Sequence, residues 1–88
     1  MQERKLTIVN RLGIHARAAA KLVTLCTRYV ANVEIVANGR RASGRHFIAI
    51  LLLSASMGVQ VSVEANGPDE MEAITAVTRL INTGFGEN

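Results

Sequence analysis

The sequence predicts an open two-layer α+β sandwich, four strands backed by helices in the order β-α-β-β-α-β-α. Three observations predict it. Val59-Gln60-Val61-Ser62-Val63-Glu64 alternates apolar and polar residues strictly, the period of a half-buried strand. Ala19, Leu22, Val23, Cys26 and Val30 recur at helical spacing. Asn38-Gly39 separates two short extended stretches, and it suits a type I′ hairpin turn, whose two central residues both need positive φ.

The elements follow in order. Lys5 to Asn10 reads as the first strand, with Leu6 and Ile8 alternating against Thr7. Leu12-Gly13-Ile14 is a short loop, and Ala16 to about Arg28 is the first helix. Asn32 to Ala37 returns to strand, with Val33 and Ile35 on one side, and Arg40 to Ser43 is its hairpin partner. Gly44 breaks the pattern before a short helix over Phe47 to Leu53. Ser54 to Gly58 turns the chain into the alternating strand. Asn66-Gly67-Pro68-Asp69 feeds the last helix, with Pro68 at its first position. Met71, Ile74, Val77 and Ile81 form the apolar face of that helix, and Gly84 stands where it can stop it. No repeat or linker interrupts the chain, so residues 1–88 form a single domain.

Hydrophobic residues make up 49% of the chain, which suits a globular fold rather than disorder. With no Trp, one Tyr and two Phe, the core must be mainly aliphatic. The longest apolar run, Phe47 to Leu53, falls far short of the roughly 18–20 residues that a membrane span requires. Met1-Gln2-Glu3-Arg4-Lys5 carries no secretory pattern, and the single cysteine, Cys26, allows no internal disulfide; both fit a reducing cytoplasm. Cys26 falls on the buried side of its helix and reads as a small core residue rather than a nucleophile.

Charge is divided unequally. Residues 1–45 hold nine Lys/Arg and two Asp/Glu, whereas residues 46–88 hold one Arg and five Asp/Glu. A site in the first half therefore sits in a positive field that draws anions or an acidic partner surface. The basic residues are scattered and almost no aromatics are available for stacking, which counts against a nucleic-acid site.

The chemistry concentrates in Asn10-Arg11-Leu12-Gly13-Ile14-His15-Ala16-Arg17-Ala18-Ala19-Ala20. Gly13 allows a sharp turn between strand and helix, which puts His15 at the helix start. The first helical amides, those of Ala16, Arg17 and Ala18, have no intrahelical partner and form an anion site on the positive end of the helix dipole. A phosphoryl group on the imidazole would lie over them, within reach of the Arg17 guanidinium, with Lys21 adding charge one turn on. The positive field also favours the neutral imidazole, whose free lone pair can attack phosphorus. Small residues at Ala16 and Ala20 leave room for a partner's active site. By itself, a histidine beside a helix terminus is more often a plain helix-start residue, and it is Gly13 and Arg17 flanking it at a strand-to-helix junction that turn the reading toward chemistry.

Gly13-Ile14-His15-Ala16-Arg17 followed by Ala19 resembles the active-site signature of HPr, the histidine-containing phosphocarrier of the bacterial phosphotransferase system. Asn38-Gly39, the apolar helix after Arg45, the strand Val59 to Ala65 and the Gly67-Pro68-Asp69-Glu70 helix start fall where that family has them. Ala76-Val77-Thr78-Arg79-Leu80-Ile81-Asn82-Thr83-Gly84-Phe85 resembles the nitrogen-related branch, NPr. The resemblance implies a four-stranded antiparallel sheet with three helices on one face. It implies that His15 is phosphorylated on Nδ1 by enzyme I or its nitrogen-related counterpart, from phosphoenolpyruvate, and that a IIA-type protein receives the group. It makes Arg17 the matching phosphate-binding arginine. The sequence offers no metal site, carboxylate dyad or nucleotide-binding glycine loop, so the chain reads as a carrier without a cofactor rather than an enzyme, with catalysis supplied by its partners; a monomer is expected. Two departures stand out. The family usually has Pro where Ala18 stands here; alanine keeps the small volume and favours helix. Many members carry a regulatory serine after a basic residue at the second helix, and here Arg45 is followed by His46, which offers no hydroxyl.

The run Phe47 to Leu53 is apolar all round, so a short helix there would leave some of Phe47, Ile48 and Leu51 exposed. With Ala20 and Lys21 these form the partner-docking surface that the resemblance implies; burial of the whole run in the core or in an oligomer contact is the alternative. Arg40, Arg41 and Arg45 read as a solvated basic rim. His46 has no Cys, Asp or Glu nearby at ligand spacing, and reads as an exposed helix-start residue rather than a metal ligand. Asp69, Glu70 and Glu72 suit the N-terminus of the last helix better than a paired-carboxylate catalytic role. The rival to a phosphoryl carrier is a protein-interaction module of the same fold that is never phosphorylated.

Overall fold

Val61, Val63 and Ala65 turn one way from their strand and are buried, while Ser62 and Glu64 between them are only half-buried. That alternation makes β4, Gln60–Asn66, an inner strand with one dry face. In the computed structural model, which describes residues 1–87, β4 lies between β1, Gln2–Thr7, and β2, Asn32–Ala37. β3, Arg40–Ser43, completes an antiparallel sheet of order β1-β4-β2-β3. Asn38 (φ 53°) and Gly39 (φ 76°) both occupy the left-handed region, as the hairpin turn between β2 and β3 requires.

Three helices cover the dry face: α1, Ala16–Cys26; α2, Phe47–Leu51; and α3, Glu70–Asn82. The core between the layers joins Leu22 and Cys26 of α1, Ile50 of α2 and Ile74, Val77 and Ile81 of α3 to Val33, Ile35, Val61 and Val63 of the sheet. It is aliphatic apart from Phe85, which lies in a short 3₁₀ turn, Gly84–Gly86, beyond α3. Burial pushes the Cys26 thiol up to about 11, as befits an inert core residue. No helix is long and apolar enough to cross a membrane.

The predicted order of elements holds, and the differences lie at their ends. β1 begins at Gln2 rather than Lys5 and stops at Thr7, pairing Gln2 with Ala65 and Thr7 with Gln60. It is a largely exposed edge strand, so its first residues carry no apolar alternation to read. α1 ends at Cys26, two residues early, which leaves Val30 in the following loop, 73% exposed rather than on the apolar face. α2 stops at Leu51, although Leu53 is still buried. β4 starts one residue later than predicted and runs on to Asn66.

Pro68 is not the first residue of α3. The helix starts at Glu70, with Asp69 in the cap position. The Asp69 carboxylate does not cap its own helix; it accepts hydrogen bonds from the amides of Val30 (2.9 Å) and Ala31 (2.7 Å), pinning the α1–β2 loop to the start of α3. Glu70 accepts from the amide of Gly67 instead. Met71 is 49% exposed, and Ala73 takes its place on the buried face. The 3₁₀ turn after α3 was not anticipated.

Candidate functional site

The site is built where the chain leaves β1. Ile8 is still buried against the core, and Asn10 begins a turn closed by the Gly13 amide donating to the Asn10 carbonyl at 3.1 Å. Gly13 has φ +66°, and a Cβ there would lie 2.5 Å from the carbonyl oxygen of Ala55. Both conformation and space therefore demand glycine. The close approach lets the Ile14 amide donate to the same Ala55 oxygen at 2.8 Å, locking the loop against the α2–β4 turn.

His15 is the N-cap of α1, with extended backbone (φ −83°, ψ −176°), and its carbonyl accepts the first helical bond from Ala19 at 2.8 Å. Its side chain is 26% exposed, so the ring is partly open to solvent. Nδ1 accepts a hydrogen bond from the Arg17 amide at 3.3 Å. Nε2 meets a carboxylate oxygen of Glu87. Together these bonds assign the tautomer: the proton sits on Nε2, and Nδ1 keeps its lone pair.

Among the predicted cradle amides, Arg17 already faces Nδ1, and the Ala16 amide finds no acceptor among the described residues. Ala16 and Arg17 are exposed, whereas Ala18 is fully buried and its amide is covered. The Arg17 guanidinium makes no hydrogen bond among the described residues; it lines an open cleft of about 490 Å³ with Arg11, Leu12, Lys21, Gly86 and Glu87. Lys21 is committed, donating to the Phe85 carbonyl at 2.6 Å.

Sequence reasoning missed two residues of this site. Asn10 is 4% exposed, and its amide nitrogen donates to the Gly13 carbonyl at 2.8 Å and to Glu87 at 2.9 Å. Glu87 thus receives Asn10 on one oxygen and His15 on the other. Those two bonds, Asn10 first, hold its carboxyl below the usual carboxylate range, so it is ionised. The sequence led to an entirely positive surrounding for His15; the structure adds one buttressed negative charge. No local signal could have placed Glu87 here, since it lies 72 residues from His15.

The remaining candidates divide. Ala20 and Ile48 are exposed, Ile48 by 56%, while Phe47 and Leu51 are half-buried against the core. Leu12, Leu52 and Met57 are exposed apolar side chains that the sequence reading did not single out. His46 is exposed at the cap of α2 and makes no capping bond. Arg40, Arg41 and Arg45 are exposed, as expected of a rim, and each also has partners within the fold. The Arg45 guanidinium is bound to the carbonyls of Tyr29 and Ala31, and Arg40 reaches the Leu52 carbonyl at 3.3 Å. Arg41 bridges Glu34 (2.5 Å) and Glu64 (2.8 Å), which face each other across β2 and β4. These arginines satisfy carbonyls and relieve carboxylate repulsion within the fold.

A partly exposed imidazole whose Nδ1 carries no proton, set at a helix start with an unengaged guanidinium two residues on, is the kind of site that a group carrier on a small α/β sandwich would present. Comparison with known proteins agrees. The family described as "PTS HPr component phosphorylation site" matches residues 2–83. The chain is 42% identical to phosphocarrier protein HPr of Cupriavidus necator over 87 residues, 99% of this chain and 98% of that one. It is 45% identical to phosphocarrier protein NPr of Klebsiella oxytoca over 82 residues, 92% and 91% of the two chains. A crystal structure of HPr from Thermoanaerobacter tengcongensis superposes with a TM-score of 0.95 at 33% identity, covering 100% of this chain and 99% of that one. The chain belongs to the HPr family of phosphocarriers, and its identity to NPr supports the NPr-like branch.

Proposed function

We propose that His15 is the phosphoryl acceptor and that the chain is a carrier, a substrate and donor in a relay rather than an enzyme. The observation that carries this reading is the Nδ1 lone pair, directed at the Arg17 amide on a partly exposed ring. In the transfer, Nδ1 forms a bond to phosphorus as the bond from phosphorus to the donor breaks, and the donor keeps that electron pair. The incoming oxygens replace Nδ1 as acceptors for the Arg17 amide, with the Ala16 amide and the Arg17 guanidinium beside them. Ala18 is fully buried, so its amide would have to be uncovered to join this cradle.

The donor is enzyme I or its nitrogen-related counterpart, charged from phosphoenolpyruvate, and the acceptor is a IIA-type protein. The likeness to NPr supports a role in nitrogen-related regulation. We place the carrier in the cytoplasm as a monomer that docks through Ala20, Lys21, Phe47, Ile48 and Leu51, without nucleic acid, membrane or cofactor. Incubation with the cognate enzyme I and phosphoenolpyruvate, followed by mass measurement, tests the core of this. One acid-labile phosphoryl adduct is expected on the wild type and none on His15→Ala. Wild-type protein that binds its partners without gaining the adduct would be an interaction module instead.

A further inference from the structure

Glu87 and Asn10 form a built arrangement behind the ring, on the side away from the attacking nitrogen. Asn10 is buried in the turn after β1, and its amide nitrogen is fixed by the Gly13 carbonyl at 2.8 Å. From that anchor it holds one oxygen of Glu87, leaving the other for Nε2 of His15. The tail is itself fastened down. Phe85 is buried, in a left-handed conformation (φ 58°), and Lys21 grips its carbonyl, which brings Glu87 back over the start of α1.

We infer that Glu87, oriented by Asn10, is a positioning residue for phosphoryl transfer: it keeps the ring proton on Nε2 and balances the charge that the ring gains when Nδ1 is phosphorylated. This rests on His15 being the acceptor. The reacting form of the ring is the neutral one, since attack on phosphorus needs the Nδ1 lone pair. When the Nδ1–P bond forms and the donor bond breaks, the ring becomes an N-phosphoryl imidazolium, with its proton still on Nε2 and one formal positive charge. Arg11, Arg17 and Lys21 line the adjoining cleft, and they oppose that charge. A carboxylate in hydrogen-bond contact with Nε2 offsets it. On delivery, the Nδ1–P bond breaks, its electron pair returns to Nδ1, and no proton has moved.

Inorganic phosphoramidate, a small phosphodonor that needs no protein docking, separates this role from partner recognition. Full-length wild type, Glu87→Ala, Glu87→Gln and Glu87→Asp are compared for the rate of adduct formation and for the ¹⁵N signals of the His15 ring, with His15→Ala as control. Glu87→Ala should react roughly tenfold slower or more, the scale on which orienting partners of functional histidines act. Its two ring nitrogens should shift toward the averaged signals of an exchanging imidazole. Glu87→Asp should recover part of the rate. Glu87→Gln, which keeps an acceptor and loses the charge, should retain the ring pattern but not the rate. Wild-type rates in Glu87→Ala would overturn the inference, and so would a Glu87→Ala that is slow while its ring signals stay those of the wild type. An adduct on His15→Ala would instead defeat the assignment of His15 itself.

Discussion

Gly13 shows how one residue fixes the chemistry two positions away. Its positive φ and the 2.5 Å gap to the Ala55 carbonyl leave no room for a side chain, and the neighbouring Ile14–Ala55 bond ties the loop in place. Gly13→Ala meets two costs, left-handed backbone for an L-residue and overpacking against main chain. Together they come to about 2–5 kcal/mol. Urea unfolding should show that loss as a lower midpoint with little change in slope. The surviving folded protein should accept phosphoryl more slowly, because the Asn10–Gly13 turn that aligns both Glu87 and His15 is displaced. A variant with a wild-type midpoint would show that the loop moves freely. Gly44 makes a related point, since a Cβ there would lie 2.6 Å from the sulfur of Cys26.

At the scale of elements, α2 separates stability from recognition within a single turn. Ile50 is fully buried, whereas Ile48 is exposed beside it. Ile50→Ala should destabilise by about 2–5 kcal/mol through lost burial and a residual cavity. Ile48→Ser should leave stability within about 0.5 kcal/mol, as surface changes do. If α2 docks partners, Ile48→Ser should raise the KM for the carrier in the enzyme I reaction several-fold with little change in kcat; an unchanged KM would remove Ile48 from the docking surface. What was legible in the sequence follows the same division. The β2–β3 hairpin was readable because Asn38-Gly39 encodes its turn locally, and β4 because its alternation reflects one dry face. The start of β1 was hidden because an exposed edge strand has no such pattern. Val30 and Met71 were misplaced because a helical period does not say where a helix ends. His15, Gly13 and Arg17 were visible as neighbours in sequence, but Asn10 lacked a partner until the tail returned to it, and Glu87 is set by the burial of Phe85 rather than by any motif.

For the whole molecule, the acidic second half does more than offset the basic first half. Three of its carboxylates tie distant segments together: Asp69 holds the α1–β2 loop, Glu70 meets the Met1 amino group and the Gly67 amide, and Glu87 joins the tail to Asn10 and His15. All three titrate below their ordinary values, Asp69 chiefly through the Val30 amide, Glu70 through the amino terminus and Glu87 through Asn10. With the folded value depressed, the unfolded chain binds more protons over the interval between the two, so stability rises with pH there. The contribution is complete above the ordinary carboxylate range and is lost as pH falls through the folded values. Denaturant midpoints should therefore be level from about pH 7 to 5 and fall steadily below about pH 4.5, the region where unperturbed carboxylates begin to protonate. Asp69→Asn should lower the midpoint at neutral pH and flatten its acid dependence, since its amide cannot be protonated in that range and one lone-pair oxygen must serve both loop amides. Combining it with Glu87→Gln should flatten the curve further, because the two sites lie in separate contacts and act independently. A wild-type midpoint that holds steady down to pH 3 would mean that these carboxylates do not fasten the fold.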